Sequence, residues 1–459
     1  MLTQRRKLKL HPAQVVIAGF FMLILAGAVL LWLPFSVQSG KHVSFLDAFF
    51  TSTSAVCVTG LVTLDPGTTY TLLGQIIIML LIQAGGLGFM TVTSLAYIFV
   101  RKRITLSERL IIRESLNEFD LSGLVKMIIR ILKVTFVAEF LGAAILATRF
   151  VPLYGLKGIY FGVFHAVSAF CNAGFDVLGT VNEPFANLIP FQSDPVVILT
   201  IAALIVTGGL GFVVITNILS PERIRKKMRI TRHSKLVLIM TGILIASGAA
   251  LIFLFENSNP QTLGPQDVGT KILSSVFQSI TPRTAGFQSI NQNGMMPVTK
   301  LLVMILMFIG ASPAGTGGGI KTTTFAIVLM NVFTVTTGRK DANIMGRRLA
   351  LETIRKAMVI FALSLLLVFF AAFAMIAIEQ YKGGLFSFEN IFFEVLSAFG
   401  TVGLSCGLTP SLSAASKIIL IFVMYCGRVG LMTLTFALAV RTSQNSGKIR
   451  YPEERFMVG

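Results

Sequence analysis

Four glycines of the 459-residue chain stand in related segments: AVCVTGL at 55–61, AFCNAGF at 169–175, TPRTAGF at 281–287 and AFGTVGL at 398–404. Gly60, Gly174, Gly286 and Gly403 are 114, 112 and 117 residues apart, and each is followed by Leu or Phe. The register extends upstream, with Ser54, Ser168, Ile280 and Ser397 six residues before the glycines and Phe50, Phe164, Val276 and Phe393 ten before, so the third copy departs most. Glycine reaches backbone conformations closed to other residues at no steric cost. Four such loops around one axis would stack rings of carbonyl oxygens able to replace the hydration shell of a monovalent cation. One copy alone would read as an ordinary turn. Four in register, each behind a short apolar segment, argue for the ring.

Loops of this kind need a membrane around them, and the composition supplies one. Charged residues make up 13% of the chain and hydrophobic ones 54%, against about 25% charged in soluble domains, which excludes an ordinary cytosolic enzyme. A bilayer crossing needs about 20 apolar residues. Uncharged runs of that size cover 14–33, 71–100, 195–219, 236–255 and 357–378; 134–148, 301–338 and 418–440 are interrupted only by Glu139, Lys321 and Arg428. The first run follows Arg5, Arg6, Lys7 and Lys9 but has too long an apolar core for a cleaved signal, so it reads as a retained helix. The expected fold is therefore an all-α integral membrane protein with eight transmembrane helices. Of the 39 Lys and Arg, 29 fall in the termini and alternate loops, 8, Arg283 among them, on the opposite side, and 2 inside spans. Both termini are thus expected in the cytoplasm, and the net charge of +19 is topological rather than a nucleic-acid footprint.

Each unit reads as span, re-entrant segment, glycine motif, span. The repeats are 1–115 (pore loop 45–61), 116–228 (pore loop 159–175), 229–345 (pore loop 270–287) and 346–459 (pore loop 387–404), the last with a cytoplasmic tail. Two crossings per unit make the four parallel around one central pore, as the subunits of a tetrameric channel are, unlike the inverted repeats of many transporters.

Four span, pore-loop, span units with one glycine each resemble the Trk/Ktr/HKT superfamily of potassium transporters, with the Ktr membrane subunit nearest because the chain lacks extra N-terminal spans. The resemblance covers essentially the whole chain. It implies a potassium-channel-like selectivity filter made by the backbone of Val58, Thr59 and Gly60; Asn172, Ala173 and Gly174; Thr284, Ala285 and Gly286; and Thr401, Val402 and Gly403, with K+ held there. A glycine at all four positions goes with potassium selectivity in that superfamily, and departure from the full TVGYG motif implies fewer ion sites and weaker selectivity. The resemblance further implies a homodimer, stimulation by sodium, and a cytoplasmic ring of RCK-type regulatory subunits that binds ATP or ADP, with no nucleotide on this chain.

The second span of repeat three holds Gly310, Ala311, Ser312, Pro313, Ala314, Gly315, Thr316, Gly317, Gly318 and Gly319 before Ile320 and Lys321. Pro removes a donor, and each glycine weakens helix by about 1 kcal/mol, so residues 310–321 are expected to unwind and gate the pore. A phosphate loop would need Gly before the Lys, but Ile320 stands there and no strand precedes it. Arg428, mid-span in CGRVGL where repeats one and two have GGLGF at 85–89 and 208–212, is expected to face the pore or bond to loop carbonyls, since a charge there costs about 3 kcal/mol. Lys321 is a second gate candidate or a snorkelling cation. Glu139 is an intramembrane acid with Arg130 or Lys133 as structural partners, His165 has no partner suggested, and Cys57 and Cys171 read as packing residues. The expected function is channel-like potassium uptake across the cell membrane, without enzyme activity; a sodium/potassium symporter on the same fold is the alternative. The loops around Arg225 and Arg347 and the tail 451–459 are candidate docking surfaces.

Overall fold

The computed structural model describes residues 12–88, 124–220, 225, 229–383 and 386–439. Among the described residues, four helices are long and apolar enough to cross a bilayer: α1 (Pro12–Trp32), α4 (Leu124–Tyr154), α8 (Arg232–Glu256) and α12 (Leu351–Tyr381), one at the start of each repeat. Between them lie four short helices, α2 (Phe45–Cys57), α5 (Lys157–Phe170), α9 (Val268–Ile280) and α13 (Phe388–Gly400). Thirteen or fourteen residues at 1.5 Å each reach only about 20 Å, short of a hydrocarbon core about 30 Å thick. Three are capped at the start in the ordinary way: the side chains of Ser44, Asp267 and Ser387 accept the amides of Asp47, Thr270 and Asn390. α5 starts without a side-chain cap, after a turn through Gly155 (φ +62°).

The remaining helices differ from the sequence expectation, in which only repeat three is interrupted. α3 (Leu72–Leu87) stops at Gly88; α6 (Pro195–Gly209) and α7 (Phe212–Ile218) are bent by 98° at Gly211; α14 (Ala414–Val429) and α15 (Leu431–Ala439) part at Gly430. Gly88, Gly211 and Gly430 share φ of +83° to +90°, a conformation that ends a right-handed helix. In repeat three the break widens into a loop between α10 (Pro297–Phe308) and α11 (Thr322–Thr336), closed at its base by parallel pairing of Ile309 with Ile320. The described residues thus hold four continuous long helices, three interrupted ones, and α3, beyond whose end at Gly88 the chain lies outside the described residues.

Polar contacts link the repeats in a closed circuit. Tyr160 of repeat two donates to Gln75 of repeat one at 2.9 Å, and Gln192 of repeat two to Ser274 of repeat three at 3.3 Å. Lys300 of repeat three bonds Asn390 and pairs with Glu389 of repeat four at 3.6 Å; Lys417 of repeat four pairs with Asp47 of repeat one at 3.0 Å. Each contact joins the first half of a short helix to the preceding repeat's second helix or the loop before it, so the four units form a ring. Arg347 is exposed on the two-strand ribbon of β1 (Asn343–Ile344) and β2 (Arg347–Arg348), and Arg225 is exposed also; 451–459 lie outside the described residues.

Candidate cation pathway

The four short helices end where the glycine segments begin. Val58, Asn172, Thr284 and Thr401, two residues before the glycines, adopt left-handed φ of +57°, +60°, +73° and +49°, and Gly60, Gly174, Gly286 and Gly403 have φ of +99°, +66°, +76° and +96°. The shared backbone is fixed from behind. The amides of Thr59, Ala173 and Val402 donate to the carbonyls of Ser54, Ser168 and Ser397 at 2.7–2.8 Å. The hydroxyls of Ser54 and Ser397 accept the Gly60 and Gly403 amides at 3.0 Å, and Ser168 donates to Phe175 O at 2.9 Å.

Repeat three uses the same devices one residue later. Thr281, not Ile280, bonds the segment through its hydroxyl to Phe287 O at 2.7 Å and through its carbonyl to the Ala285 amide at 2.9 Å. Phe277, not Val276, is the fully buried aromatic matching Phe50, Phe164 and Phe393. The apparent divergence of the third copy is therefore a one-residue shortening between helix and glycine.

The glycines close a circuit. A methyl placed on Gly60 would lie 3.2 Å from the Gly174 Cα, one on Gly174 2.9 Å from that of Gly286, one on Gly286 3.0 Å from that of Gly403, and one on Gly403 2.9 Å from that of Gly60. It would also strike the carbonyl oxygens of Ala173, Ala285, Val402 and Thr59 in turn. No side chain fits, and carbonyl oxygens of adjacent repeats converge there. The short helices bring their C-terminal ends, each worth about half a negative charge, to the same place. Leu61, Phe175, Phe287 and Leu404 are buried behind the ring.

On one face of the ring a cavity of about 570 Å³ is lined by all four glycines and by Asp65, Asp176 and Glu183. Burial pushes the Asp65 carboxyl up, and the Asp176 carboxylate adds to the rise against the Thr68 and Phe185 amides. On the other face lies the loop of repeat three. Gly318 N donates to the Thr401 hydroxyl at 2.9 Å, Thr316 Oγ1 to Phe170 O at 3.3 Å, and Ser312 N to Gly209 O at 3.1 Å, while Phe212 N donates to Ala314 O at 2.8 Å. A methyl on Gly317 would collide with Thr284. The loop thus abuts the residues that precede the glycines in repeats three and four and packs against repeat two.

Arg428 donates to Thr316 O in this loop and to the carbonyls of Gly85 and Gly86, satisfying a half-buried guanidinium with main-chain oxygens of the loop and of the end of α3. Lys321 does not merely snorkel: its Nζ donates to Gly317 O at 2.6 Å. Both cations, with Lys356, line a second cavity of about 400 Å³.

Other residues fall differently from the sequence expectation. Glu139 is buried and accepts from Gln83 Nε2 at 3.3 Å, with the Cys171 thiol 4.0 Å away, rather than pairing with Arg130 or Lys133. His165 has partners, Phe161 O and Asp176. Arg283 is buried at the end of α9, touching Thr241 at 3.4 Å, and is not an exterior loop charge. The four cysteines are free and buried. Gln83 and Thr241, the partners of Glu139 and Arg283, lie 56 and 42 residues away in sequence, beyond the reach of a local pattern.

Comparison with known proteins gives a consistent result. The family model for TrkH, described as a cation transport protein, matches residues 5–449. The potassium/sodium uptake protein NtpJ of Enterococcus hirae is 42% identical over the whole of both chains, and the Ktr system potassium uptake protein B of Bacillus subtilis 41% identical over 98% of this chain and 97% of that one. The crystal structure of the potassium transporter TrkH from Vibrio parahaemolyticus superposes with a TM-score of 0.71 at 16% identity, over 96% of this chain and 87% of that one. The mostly helical fold with several apolar helices is similar to that structure, and with a family match across nearly every residue the chain belongs to the TrkH family of cation transport proteins, which are transporters and not enzymes.

Proposed function

We infer that the chain takes up potassium across the cell membrane by channel-like permeation through a filter formed by the backbone of residues 58–60, 172–174, 284–286 and 401–403. The observation that carries this is the closed glycine circuit, in which adjacent repeats offer carbonyl oxygens where no side chain fits. The full-length relatives named for potassium uptake support the choice of ion. The membrane potential supplies about 2.3 kcal/mol per charge per 100 mV.

In this reading the loop 310–321 is the gate, held shut by Arg428 and Lys321. The Ktr system relative supports a separate regulatory component, which we take to be an RCK-type ring binding ATP or ADP on the cytoplasmic side, where both termini and the basic segments around Arg225 and Arg347 would lie, with the membrane subunit a homodimer. Sodium acts as an activator. The Enterococcus hirae relative, named for both ions, gives the sodium/potassium symporter its one specific support; potassium flux with sodium absent from both sides at clamped voltage separates the two. The filter is tested by Gly286→Ser: the added side chain meets Val402 O, and the potassium preference over sodium is expected to fall by about tenfold or more. An unchanged ratio in a normally inserted variant would refute the assignment.

A further inference from the structure

Each short helix carries a second buried polar residue, three positions before the one that fixes its glycine segment. Thr51, His165 and Glu394 lie nine residues before Gly60, Gly174 and Gly403, and Gln278 lies eight before Gly286, the spacing that the shortened third copy requires. The four residue types differ, yet each reaches the stretch between its own glycine and its own second helix. Tyr70 Oη donates to Thr51 Oγ1 at 3.4 Å, His165 Nε2 meets Asp176 Oδ1 at 3.2 Å, and Glu394 accepts the Cys406 amide at 3.1 Å and the Thr409 hydroxyl at 2.9 Å. In repeat three two side-chain amides face each other: Gln278 Nε2 donates to Gln292 Oε1 at 2.7 Å, and Gln292 Nε2 to Gln278 Oε1 at 3.2 Å. Gln278 Nε2 also meets Met295 Sδ at 3.8 Å and Gln292 Nε2 donates to Ile290 O at 2.9 Å, so all four N–H of the pair are engaged. Both glutamines are buried. Removing either one strands the other amide without a partner.

The segment that Gln292 anchors supports the ring. Between Gly286 and Gln292, the Gln288 amide donates to Asn187 Oδ1 at 3.2 Å and the Gln288 carbonyl accepts the Leu188 amide at 3.0 Å. Asn187 Nδ2 in turn donates to Gly174 O at 3.4 Å. Asn187 holds this place with φ of +50°, a left-handed conformation that asparagine tolerates better than most residues. A carbonyl oxygen of repeat two thus rests, through one side chain, on a segment that repeat three fixes with its amide pair.

We propose that Gln278 is a positioning residue for cation discrimination: its clasp on Gln292 fixes the segment beyond Gly286, on which Asn187 and the Gly174 carbonyl rest. This rests on the reading of the glycine ring as the filter. Neither glutamine touches the ion. An unpaired amide in this place draws the segment toward another partner, Asn187 loses its footing on Gln288, and the ring admits sodium more readily. Replacing both glutamines by apolar residues of similar size leaves no amide to satisfy, so the double change is milder than either single one.

The test is tracer rubidium and sodium uptake by cells that lack other potassium uptake and express the full chain, read as the ratio of the two ions so that the amount of chain in the membrane cancels. Gln278→Leu and Gln292→Leu are each expected to lower the rubidium-to-sodium ratio about fivefold, and the double variant to exceed both singles. Single variants with the wild-type ratio, or a double variant that fails to exceed them, would overturn the proposal, since a glutamine that serves stability alone changes the amount of chain and not the ratio. Asn187→Gly, which permits the same backbone and removes the side-chain relay, should lower the ratio about threefold; if the leucine variants do not reach the membrane, it decides alone, and an unchanged ratio overturns the proposal. A wild type that does not discriminate between the ions would instead refute the filter itself, and the proposal with it.

Discussion

Among the described residues, the chamber on one face of the glycine ring, the outer one in the orientation proposed above, is lined by Asp65, Asp176 and Glu183 and by no Lys or Arg, whereas the chamber on the other, inner face is lined by Lys321, Lys356 and Arg428 and by no Asp or Glu. Negative charge outside gathers cations at the entrance. Positive charge inside would repel them, but two of the three inner cations are committed to loop carbonyls, Arg428 to Thr316 O and Lys321 to Gly317 O. In the reading proposed above, the inner charges work by holding a loop, which makes the barrier removable, while the outer charges act through space.

Removing the inner anchor should have the largest effect. A fixed charge about 8 Å from a permeating cation opposes it by about 2 kcal/mol at an effective dielectric of 20. Arg428→Gln is therefore expected to raise rubidium uptake up to about thirtyfold, and unchanged or lower uptake in a folded protein would show that the inner charge is structural only. Lys321→Met removes one loop bond at the edge of the same cavity; uptake is expected to rise about fivefold, and Arg428→Gln with Lys321→Met should exceed either alone. Glu183→Gln weakens the outer field. Its expected effect is about a twofold loss of uptake at low ionic strength that vanishes in high salt, and a loss independent of salt would mean a direct ligand. The smallest change is Lys417→Met, which breaks one inter-repeat pair and should lower thermal stability by about 1 kcal/mol without altering the ion ratio.

How far these chambers could be read from the chain depends on the range of the interaction. The ring glycines and the loop of repeat three are local signals, since both follow from glycine and proline chemistry within a few residues. The breaks at Gly211 and Gly430 sit in apolar runs that look continuous, and nothing near Gly211 in sequence announces that Pro313 O will pack on it. Repeat three hid its equivalence behind a one-residue shift, so Thr281 and Phe277 replace the residues a fixed register selects. Glu139 with Gln83 and Arg428 with Thr316 are joined across repeats; an unpaired charge in an apolar run signals that a partner exists and cannot say which.

The most direct test of the account is ion competition in liposomes holding the purified chain with its regulatory partner: tracer rubidium uptake driven by a fixed voltage, with potassium or sodium added outside. Potassium should suppress uptake at far lower concentration than sodium, and Gly286→Ser should bring the two inhibition curves together. Equal suppression by both ions in the wild type would contradict a ring of carbonyl oxygens as the selecting element.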